Sequence, residues 1–599
     1  MCGLVGIIHQ NKKVQKNDLK YLNNLQHHRG PDEEGYFFCK NNNLGMAMKR
    51  LSIIGIDSGS QPKISEDCKK VIFFNGEIFN YKQLAKQYLN QNINSDSQVI
   101  LNLYEKFGIN FLSKLNGMFV IVIYDKILNQ LTIIRDRFGI KPIYFYYDGK
   151  SFVYSSEITP LRFFLNSNQL EEQAISNYFT LGYAYNDDKT IYKNIYKIKQ
   201  GFLLKLDLNS FSLSKKQWWK FKPIKKIFKN TKHYFDHAEN CIIESLKNWT
   251  NSDVPISFML SGGLDSGLLA GIYTSIHKKK LNTFSMSFIG NNYKKWDETK
   301  TIKDFVNTYD SNHQNIIFNL EDIKKDIFKI ISSLEEPYGG GIPSWFLLKE
   351  IKKKFKVTIS GIGGDELFGN YNRFLRMKEI TRNYYNKKNF YKYYFFNNFY
   401  KVSNDFKKKY TNLDLSYLDK TEDLFFDILI NRKNKLSPAK NFSFLDYNTQ
   451  LTDEFLFFSD RFSMRNSVEL RTPYLDHNLI ESIYGYPEHI RTNKNQYKPI
   501  LREIAKKYLP NSYLSQPKMG FSIPLSLIMR GNMKKITQYY LSPIILKNVG
   551  YLKENFINDF LIPFFKGDNR NVLLIWNFLM FHIWFIEFHK KNINISKTF

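Results

Sequence analysis

Cysteine is scarce in this 599-residue sequence, and its four cysteines lie far apart. Cys2, Cys39, Cys68 and Cys241 form no Cys-x-x-Cys pair. Their spacing argues against a cysteine zinc site and favours reducing surroundings. No charged-then-apolar leader opens the sequence, because Met1-Cys2-Gly3 begins a strand-like pattern at once. We therefore expect a cytoplasmic protein.

Acidic residues are few beside basic ones: 56 Asp and Glu stand against 86 Lys and Arg, a formal net charge of +30. An excess of this size keeps open an alternative function as an RNA-binding or tRNA-modifying protein. The basic runs are short and dispersed, however, as at 278–280 and 352–354. Because this distribution is typical of solvated faces, we expect no nucleic-acid partner.

Long uncharged apolar runs are also missing. The most hydrophobic stretch, 572–588, contains Asn577, His582 and Glu587 and is slightly short for a bilayer span. We predict a buried terminal helix here and no membrane span. Since 599 residues exceed what one hydrophobic core accommodates, two or more packed domains are expected.

A Walker phosphate loop is absent, because no Gly-x-x-x-x-Gly-Lys-Ser/Thr occurs. A different glycine loop, 261–266 (SGGLDS), follows the apolar run 256–260. The pattern predicts a buried strand, a glycine turn and a helix N-terminus, where backbone N–H groups can approach an anion. Asp265 in such a cradle suits a magnesium ligand. The loop resembles the SGGxDS loop of the N-type ATP pyrophosphatases.

A second glycine loop, 361–369 (GIGGDELFG), follows another apolar strand at 357–360. Two glycine turns after two parallel strands predict a nucleotide crevice at the carboxyl ends of one sheet. Asp365 could share magnesium with Asp265 on opposite sides of a pyrophosphate.

The start of the chain offers a different chemistry. If Met1 is removed, Cys2 carries a free α-amine, whose pKa of about 7.7–8.0 lets it take the thiol proton near neutrality. Such a cysteine can be nucleophile and base together. Asn75 and Gly76 are predicted at the bend of a hairpin, where an amide N–H and a backbone N–H can face one oxyanion. Four further strands predict an antiparallel meander: 119–125, 130–136, 142–147 and 151–155.

Six motifs together resemble the class II glutamine amidotransferase domain, an N-terminal-nucleophile hydrolase: Cys2-Gly3, HRGPD (28–32), KRLSI (49–53), FNGEI (74–78), SDSQVI (95–100) and RDRFGIKPIYF (135–145). The resemblance implies an α+β fold in which two stacked antiparallel sheets lie between helices (αββα). It also implies that Cys2 attacks the glutamine amide to form a γ-glutamyl thioester, with Asn75 and Gly76 as the oxyanion hole.

The same resemblance assigns the groups that hold glutamine. Arg50 would bind the α-carboxylate by a bidentate pair. Glu77 and Asp96 would hold the α-ammonium group, although the simpler interpretation of Asp96 is a helix N-cap. Leu51 and Ile53 would contribute backbone contacts.

Five later motifs look like the synthetase domain of glutamine-dependent asparagine synthetases: SGGLDSG (261–267), SGIGGDELFG (360–369), DRFSM (460–464), ELRTPYLD (469–476) and KMGF (518–521). This resemblance implies an α/β domain with a parallel sheet, helical additions, and ATP and Mg²⁺ as cofactors. Lys518 would stabilise the adenylation transition state, and Asp265 and Asp365 would hold the metal. The implied ATP residues are Leu260, Ser261, Gly262, Gly263, Asp265, Ser266, Met286, Ser360 and Gly361.

The resemblance covers nearly the whole chain. It predicts a glutaminase domain at 1–212, a linker at 213–230 and a synthetase domain at 231–599. Glutamine would be hydrolysed at Cys2, and ammonia would travel through a tunnel to attack an acyl-adenylate. The expected partners are small molecules; the oligomeric state is left open, with a homodimer as one candidate.

The most direct expectation for the acceptor is L-aspartate, giving L-asparagine. Two departures from the family pattern weaken this inference. Ile362 stands where the best-known members carry a glutamate, and Gly339 to Gly341 are expected to make room near the acceptor, with Trp345 adding an aromatic face. The alternative is the same chemistry on another carboxylate, such as a sugar uronate in surface-polysaccharide synthesis.

Overall fold

The computed structural model describes residues 1–288, 297–369, 390, 402–417, 420–430, 438–491, 497–515 and 523–591. Its strands are β1 Cys2–His9, β2 Glu33–Phe38, β3 Leu44–Arg50, β4 Lys63–Ile64, β5 Lys70–Ile78, β6 Gly117–Asp125, β7 Gln130–Arg135, β8 Tyr144–Tyr147, β9 Ser151–Ser155, β10 Ile195–Lys197, β11 Phe202–Asp207, β12 Leu213–Gln217, β13 Ile256–Met259, β14 Asn282–Phe288, β15 Asn312–Phe318, β16 Val357–Ile359 and β17 Glu469–Arg471.

The longer helices are α1 Lys16–Leu25, α2 Asp96–Phe107, α3 Glu172–Leu181, α4 Thr231–Trp249, α5 Leu264–His277, α6 Thr299–Tyr309, α7 Leu320–Leu334, α8 Ile342–Ile351, α9 Lys420–Ile430, α10 Pro438–Asn448, α11 Phe457–Arg465, α12 His477–Tyr484, α13 Pro499–Tyr508 and α14 Val572–Trp584. Shorter helices lie at Tyr81–Leu84, Thr159–Arg162, Gly364–Phe368, Asn404–Tyr410, Glu488–Arg491, Asn511–Ser515, Leu525–Arg530, Lys534–Tyr540, Pro543–Val549 and Ile562–Phe565.

The N-terminal half consists of two stacked antiparallel sheets. Their strand orders are β10-β8-β9-β1-β3-β2 and β12-β11-β7-β6-β5-β4. Helix α1 packs against β1 and β3 of the first sheet, and α2 packs against β5 of the second. This arrangement confirms the predicted αββα fold.

Strand β1 shows why both of its faces are apolar. Leu4 and Ile8 point into the core between the sheets, whereas Val5 and Ile7 pack in the core on the other face. A sheet covered on both sides needs apolar residues at successive positions, because neighbouring side chains point in opposite directions. Cys2, the first residue of β1, lies in the core between the sheets.

Two details of the predicted strands are wrong. Asn75 and Gly76 form no hairpin bend but lie inside the continuous strand β5, which pairs with β6 along its whole length. Gly76 adopts φ +143°, and a Cβ there would lie 2.0 Å from the Met118 carbonyl oxygen, so close strand approach explains the glycine. The meander is divided, since the β6–β7 hairpin belongs to one sheet and the β8–β9 hairpin to the other.

The C-terminal half contains a parallel sheet, as expected, with strand order β15-β14-β13-β16-β17. Strands β13 and β16 are neighbours, and each is followed by one of the glycine loops. Both loops therefore meet at the same edge of the sheet, the carboxyl ends of its strands.

The first residues of the expected linker form a strand. Residues 213–217 pair with β11 as strand β12, so the first part of the expected linker extends the second antiparallel sheet. Near the C-terminus, the stretch Val572–His589 is long and apolar enough to cross a membrane, but 72% of it is buried inside the protein. This burial agrees with the prediction of a buried terminal helix.

Candidate active sites

The first candidate site surrounds Cys2. The register of the first sheet pairs Cys2 with Arg50 of β3, and Arg50 with Glu33 of β2. The backbone N–H of Cys2 donates to Asn75 Oδ1 at 2.7 Å. The Asn75 Nδ2 group is buried and has no hydrogen-bond partner among the residues that the structure describes. An amide N–H beside the thiol is therefore free to face an oxyanion.

Met1 is buried against this site. Its N-terminal amine donates to the Leu51 carbonyl at 3.1 Å, and the Leu51 N–H donates to the Met1 carbonyl at 2.7 Å. The amine also lies 3.5 Å from Glu469, a residue of β17 in the other half of the chain. Met1 thus uses the backbone groups of Leu51 that the sequence assigned to glutamine.

The thiol is not activated while Met1 is in place. Burial raises the pKa of Cys2, and the opposing effects of the positive N-terminus and Arg50 are smaller. Removal of Met1 would convert the Cys2 N–H into a basic amine on the same residue.

Arg50 is 4% exposed, and both terminal nitrogens of its guanidinium already donate hydrogen bonds. One Nη donates to Glu33 at 2.6 Å and to the Ile56 carbonyl at 3.3 Å. The other donates to the carbonyls of Ile54 and Gly55 at 3.1 and 2.7 Å. The predicted bidentate pair with a substrate carboxylate therefore requires Arg50 to exchange some of these bonds.

Two buried carboxylates lie nearby. Burial, followed by the charges of Glu469 and Asp96, raises the pKa of Glu77 well above its usual value. Within the described part of the chain, Glu77 Oε2 has no hydrogen-bond partner. Burial also raises the pKa of Asp96 to about 6, although the N–H groups of Ile78 and Ser97 donate to it. The N-cap of α2 is Ser95, not Asp96. An ammonium group would relieve the charge of both carboxylates.

The second candidate site is a cavity of about 400 Å³ at the carboxyl ends of β13 and β16. Of the predicted ATP residues, Leu260, Ser261, Gly263, Asp265, Ser266, Met286, Ser360 and Gly361 line it, and so does Asp365. Gly262 is the exception, because its N–H donates to Glu298 Oε2 at 3.0 Å. Glu298, which the sequence did not assign, also lines the cavity.

The two glycine loops pack directly against each other. A Cβ at Gly364 would lie 2.5 Å from Asp265 Oδ1, and one at Gly361 would lie 2.9 Å from Asp265 Cβ. Within the first loop, the hydroxyl groups of Ser261 and Ser266 lie 2.8 Å apart. Glycine is needed in the second loop because the first approaches it so closely.

Lys498 is a second residue that the sequence did not assign to this site. Its ammonium lies 2.6 Å from Asp265 Oδ1 and 2.5 Å from Asp365 Oδ1, and its side chain is 3% exposed. Burial acts to lower its pKa, but the two carboxylates outweigh burial and the pKa is raised. Lys518, which was assigned to the transition state, lies outside the described residues.

The comparisons with known proteins cover both halves. The sequence model of the family described as asparagine synthase matches residues 237–586, and that described as glutamine amidotransferase domain matches residues 1–219. The chain belongs to the asparagine synthase family. It is 28% identical to asparagine synthetase [glutamine-hydrolyzing] 1 of Bacillus subtilis over 100% of this chain and 98% of that protein.

Proteins similar to this chain carry names for different activities. Asparagine synthetase [glutamine-hydrolyzing] 2 of Bacillus subtilis is 28% identical over 87% of this chain and 72% of its own length. Amidase chry2 of Gibberella zeae is 24% identical over 92% of this chain and 93% of its own length. Membership of the asparagine synthase family gives this chain glutamine-dependent, ATP-using amidation as its chemistry.

The part of the cavity around Ile362 differs from the sequence expectation. Ile362 lines the cavity with the apolar side chains of Leu347, Phe455 and Phe458. Trp345 lies elsewhere: it is buried and donates to Asp326 at 3.1 Å. The expected aromatic face therefore comes from the phenylalanines.

The three successive glycines do not open space. A Cβ at Gly339 would lie 2.7 Å from the Trp576 indole, and one at Gly340 would lie 2.1 Å from the Tyr338 hydroxyl. At Gly341, where φ is +68°, a Cβ would lie 2.5 Å from Phe458. Neighbouring aromatic rings already occupy the space that the glycines leave.

A buried ion pair joins the two halves of this asparagine synthase family member. Arg29 donates to both carboxylate oxygens of Asp460, at 2.8 and 3.1 Å, and its Nε donates to the Cys2 carbonyl at 3.2 Å. Asp460 lies on α11, which also places Phe458 on the cavity. The motifs HRGPD and DRFSM thus meet in one contact between the candidate sites.

Proposed function

We propose that this protein forms L-asparagine from L-aspartate, glutamine and ATP, with release of glutamate, AMP and pyrophosphate. The observation that carries the proposal is the cluster of Asp265, Asp365 and Lys498 where two glycine loops meet beside the cavity. Such a cluster suits a site for a nucleotide and its metal at the ends of parallel strands. The Cys2 site supplies the nitrogen.

The glutaminase step begins with removal of Met1. The new α-amine of Cys2 takes the thiol proton, and the thiolate attacks the glutamine amide carbon. Asn75 Nδ2 and the Gly76 N–H stabilise the oxyanion. Ammonia leaves as the thioester forms, and water then releases glutamate. Glu77 and Asp96 hold the substrate ammonium, and the Leu51 backbone groups that Met1 occupied become available to glutamine.

In the synthetase step, an oxygen of the acceptor carboxylate attacks the α-phosphorus of ATP and pyrophosphate leaves. Ammonia then attacks the acyl carbon, and AMP departs as the amide forms. Lys498, and Lys518 by resemblance, offset negative charge on the phosphates. Asp265 and Asp365 would hold Mg²⁺, the second expected cofactor. They suit a cation because both already contact the ammonium of Lys498. When bound, Mg²⁺ would neutralise pyrophosphate charge.

A specific observation favours a second candidate acceptor. Ile362, Leu347, Phe455 and Phe458 form an apolar wall in the cavity, and a wall of this kind suits an acceptor with a larger body than aspartate. A sugar uronate, whose ring faces can pack against such side chains, is that alternative. The adenylation chemistry would be unchanged.

The test is pyrophosphate release by the full-length enzyme with ATP, glutamine and one acceptor at a time. We expect release with L-aspartate to exceed release with glucuronate or with no acceptor by at least about tenfold, which is roughly 1.4 kcal/mol of discrimination. The Ile362→Glu variant tests the apolar wall, since a carboxylate there should weaken use of a large acceptor. Release that depends on the uronate and ignores aspartate would overturn the aspartate assignment.

We also propose domain limits that follow the sheets. The glutaminase domain includes β12 and ends near Gln217, and the synthetase domain begins with α4. The interval 218–230 connects them along the surface of the second domain, where the Ile224 N–H donates to the Glu481 carbonyl at 2.8 Å.

A further inference from the structure

A short stretch of chain touches both sides of the candidate glutamine site. This bridging segment, residues 249–254, runs from the end of α4 to the approach to β13, the strand that leads into the ATP loop. It belongs to the synthetase half in sequence. Its contacts, however, reach the loop after β3 of the glutaminase half and Arg471, whose guanidinium lies 3.9 Å from the Glu77 carboxylate.

Asp253 holds the loop after β3 at two points. Its backbone N–H donates to the Ile53 carbonyl at 3.2 Å, and its Oδ2 accepts from the buried Gly55 N–H at 2.8 Å. Gly55 adopts φ +61°, so the loop turns sharply at the residue that Asp253 contacts. A carboxylate accepting a backbone N–H forms one of the stronger hydrogen bonds available in proteins.

The same loop determines where Arg50 points. The carbonyls of Ile54, Gly55 and Ile56 accept from the Arg50 guanidinium. Asp253 therefore fixes the N–H of Gly55, while the carbonyl of Gly55 fixes the guanidinium. A shift of this loop would move Arg50 without changing any group on Cys2.

The other end of the bridging segment contacts Arg471. The Arg471 guanidinium donates to the carbonyls of Trp249 and Asn251 at 3.0 and 2.6 Å. It also lies 3.9 Å from Glu77, one of the two carboxylates proposed for the substrate ammonium. The segment thus contacts the supports of both charged ends of a bound amino acid.

We propose that Asp253 is a positioning residue for glutamine: it holds the loop Ile53–Gly55 so that Arg50 meets the substrate carboxylate, and it ties that loop to the strand leading to the ATP site. This inference rests on the proposed function, because it takes Arg50 as the carboxylate ligand. It assigns Asp253 no part in the chemistry at Cys2.

The test is glutaminase kinetics of the full-length enzyme with the Asp253→Ala variant. Loss of the acceptor for the Gly55 N–H should raise KM for glutamine about tenfold, as expected for one charge-assisted hydrogen bond of about 1.4 kcal/mol, while kcat stays within about twofold. Asp253→Asn keeps an oxygen that can accept from Gly55 and should restore KM to within about threefold of wild type. Ammonia-dependent pyrophosphate release should be unchanged in both variants.

The matched control is Asp57→Ala, which removes an exposed carboxylate from the same loop and should leave KM unchanged. If the wild-type enzyme is active and Asp253→Ala has an unchanged KM for glutamine, this inference is overturned and the proposed function is not. Equal losses with glutamine and ammonia would show a merely structural residue and would also overturn it. Wild-type enzyme without any glutaminase activity would instead contradict the proposed function.

Discussion

The two candidate sites are built in opposite ways. The candidate glutamine site lies in the core between antiparallel sheets, and both Nη groups of Arg50 already donate to protein groups. The ATP site is a cavity of about 400 Å³ at the ends of parallel strands, lined by residues from two loops. Under the proposed function, the first needs the loss of Met1 before substrate can enter. The second needs only its ligands.

The two sites also differ in how their buried carboxylates are compensated. Glu77 and Asp96 are buried carboxylates with raised pKa values. Their ionised forms are therefore less stable in the folded protein than in water, relative to their protonated forms. Asp265 and Asp365 instead share the ammonium of Lys498, whose pKa is raised. Under the proposed function, the first site takes its cation from the substrate, whereas the second already contains the Lys498 ammonium.

The largest expected effect is the loss of glutamine as a nitrogen source while ammonia can still be used by the synthetase site. Cys2→Ala should reduce glutamine-dependent amide formation by more than about a thousandfold, because the nucleophile is lost, and should leave ammonia-dependent formation within about twofold. Product formation is measured with each nitrogen source. Cys68→Ser, which changes an exposed cysteine, serves as the control. Equal losses with both nitrogen sources would break the distinction between the sites.

The reciprocal change is at Lys498. Lys498→Ala removes the cation shared by Asp265 and Asp365 and should lower pyrophosphate release by about a hundredfold or more. Glutaminase activity should stay within about twofold, and Lys506→Ala, an exposed lysine on α13, should change neither rate. Pyrophosphate release that survives in Lys498→Ala would remove this cation from the account of the second site.

The third prediction uses pH. The pKa of Asp96 rises from 3.8 to about 6 on folding, so the folded state binds more protons between these values and stability falls as pH rises through this window. The effect is at most about 3 kcal/mol, by the usual conversion of two pKa units. Asp96→Asn should remove this slope and raise the melting temperature at pH 8.

The melting temperature is measured from pH 4 to 8 in Asp96→Asn and in Asp67→Asn, a matched change at a carboxylate on the surface. Only the first variant should lose the slope. Asp96→Asn should also raise KM for glutamine, since an amide attracts an ammonium group less. If Asp96→Asn keeps the wild-type pH dependence of the melting temperature, ionisation of Asp96 does not lower the stability of the folded protein.

The smallest expected effect concerns the acceptor side. Gly340→Ala forces a methyl group toward the Tyr338 hydroxyl, which donates to Glu454 at 3.0 Å. We expect a loss of about 1–2 kcal/mol in stability, typical of overpacking, and an unchanged order of acceptors. Thermal denaturation and the acceptor assay measure the two parts. A changed acceptor order at unchanged stability would mean that the glycines shape the substrate site after all.

The fold followed from local patterns more completely than the sites did. Alternating or continuous apolar runs predicted strands such as β6 and β13, because a strand covered on both faces must be apolar throughout. The Asn75-Gly76 pair misled the prediction, since tertiary pairing with β6 overrode a local turn preference. A dipeptide carries no information about which strand will lie beside it.

Some motif residues proved to be structural. Asp136 of the RDRFGIKPIYF motif is buried and accepts the N–H groups of Phe119, Phe138, Ile140 and Lys141. It therefore fixes the turn that separates the two hairpins. The resemblance identified the motif correctly as a marker of the domain without revealing this function.

Lys498 shows what the sequence could not reveal. It lies 233 residues from Asp265 along the chain, and a lysine before Pro499 at a helix start has no distinguishing local pattern. Only the packing of α13 against α5 brings the lysine to the glycine loops. Long-range contacts of this kind depend on the complete fold.

The most direct test of the central claim is mass spectrometry of the N-terminal peptide from the active enzyme after reaction with an electrophilic glutamine analogue. The account predicts a peptide that begins at Cys2, with a free α-amine and the adduct on its thiol. Active, glutamine-using protein that retains Met1, or an adduct on another residue, would contradict the claim that an unblocked Cys2 releases the ammonia.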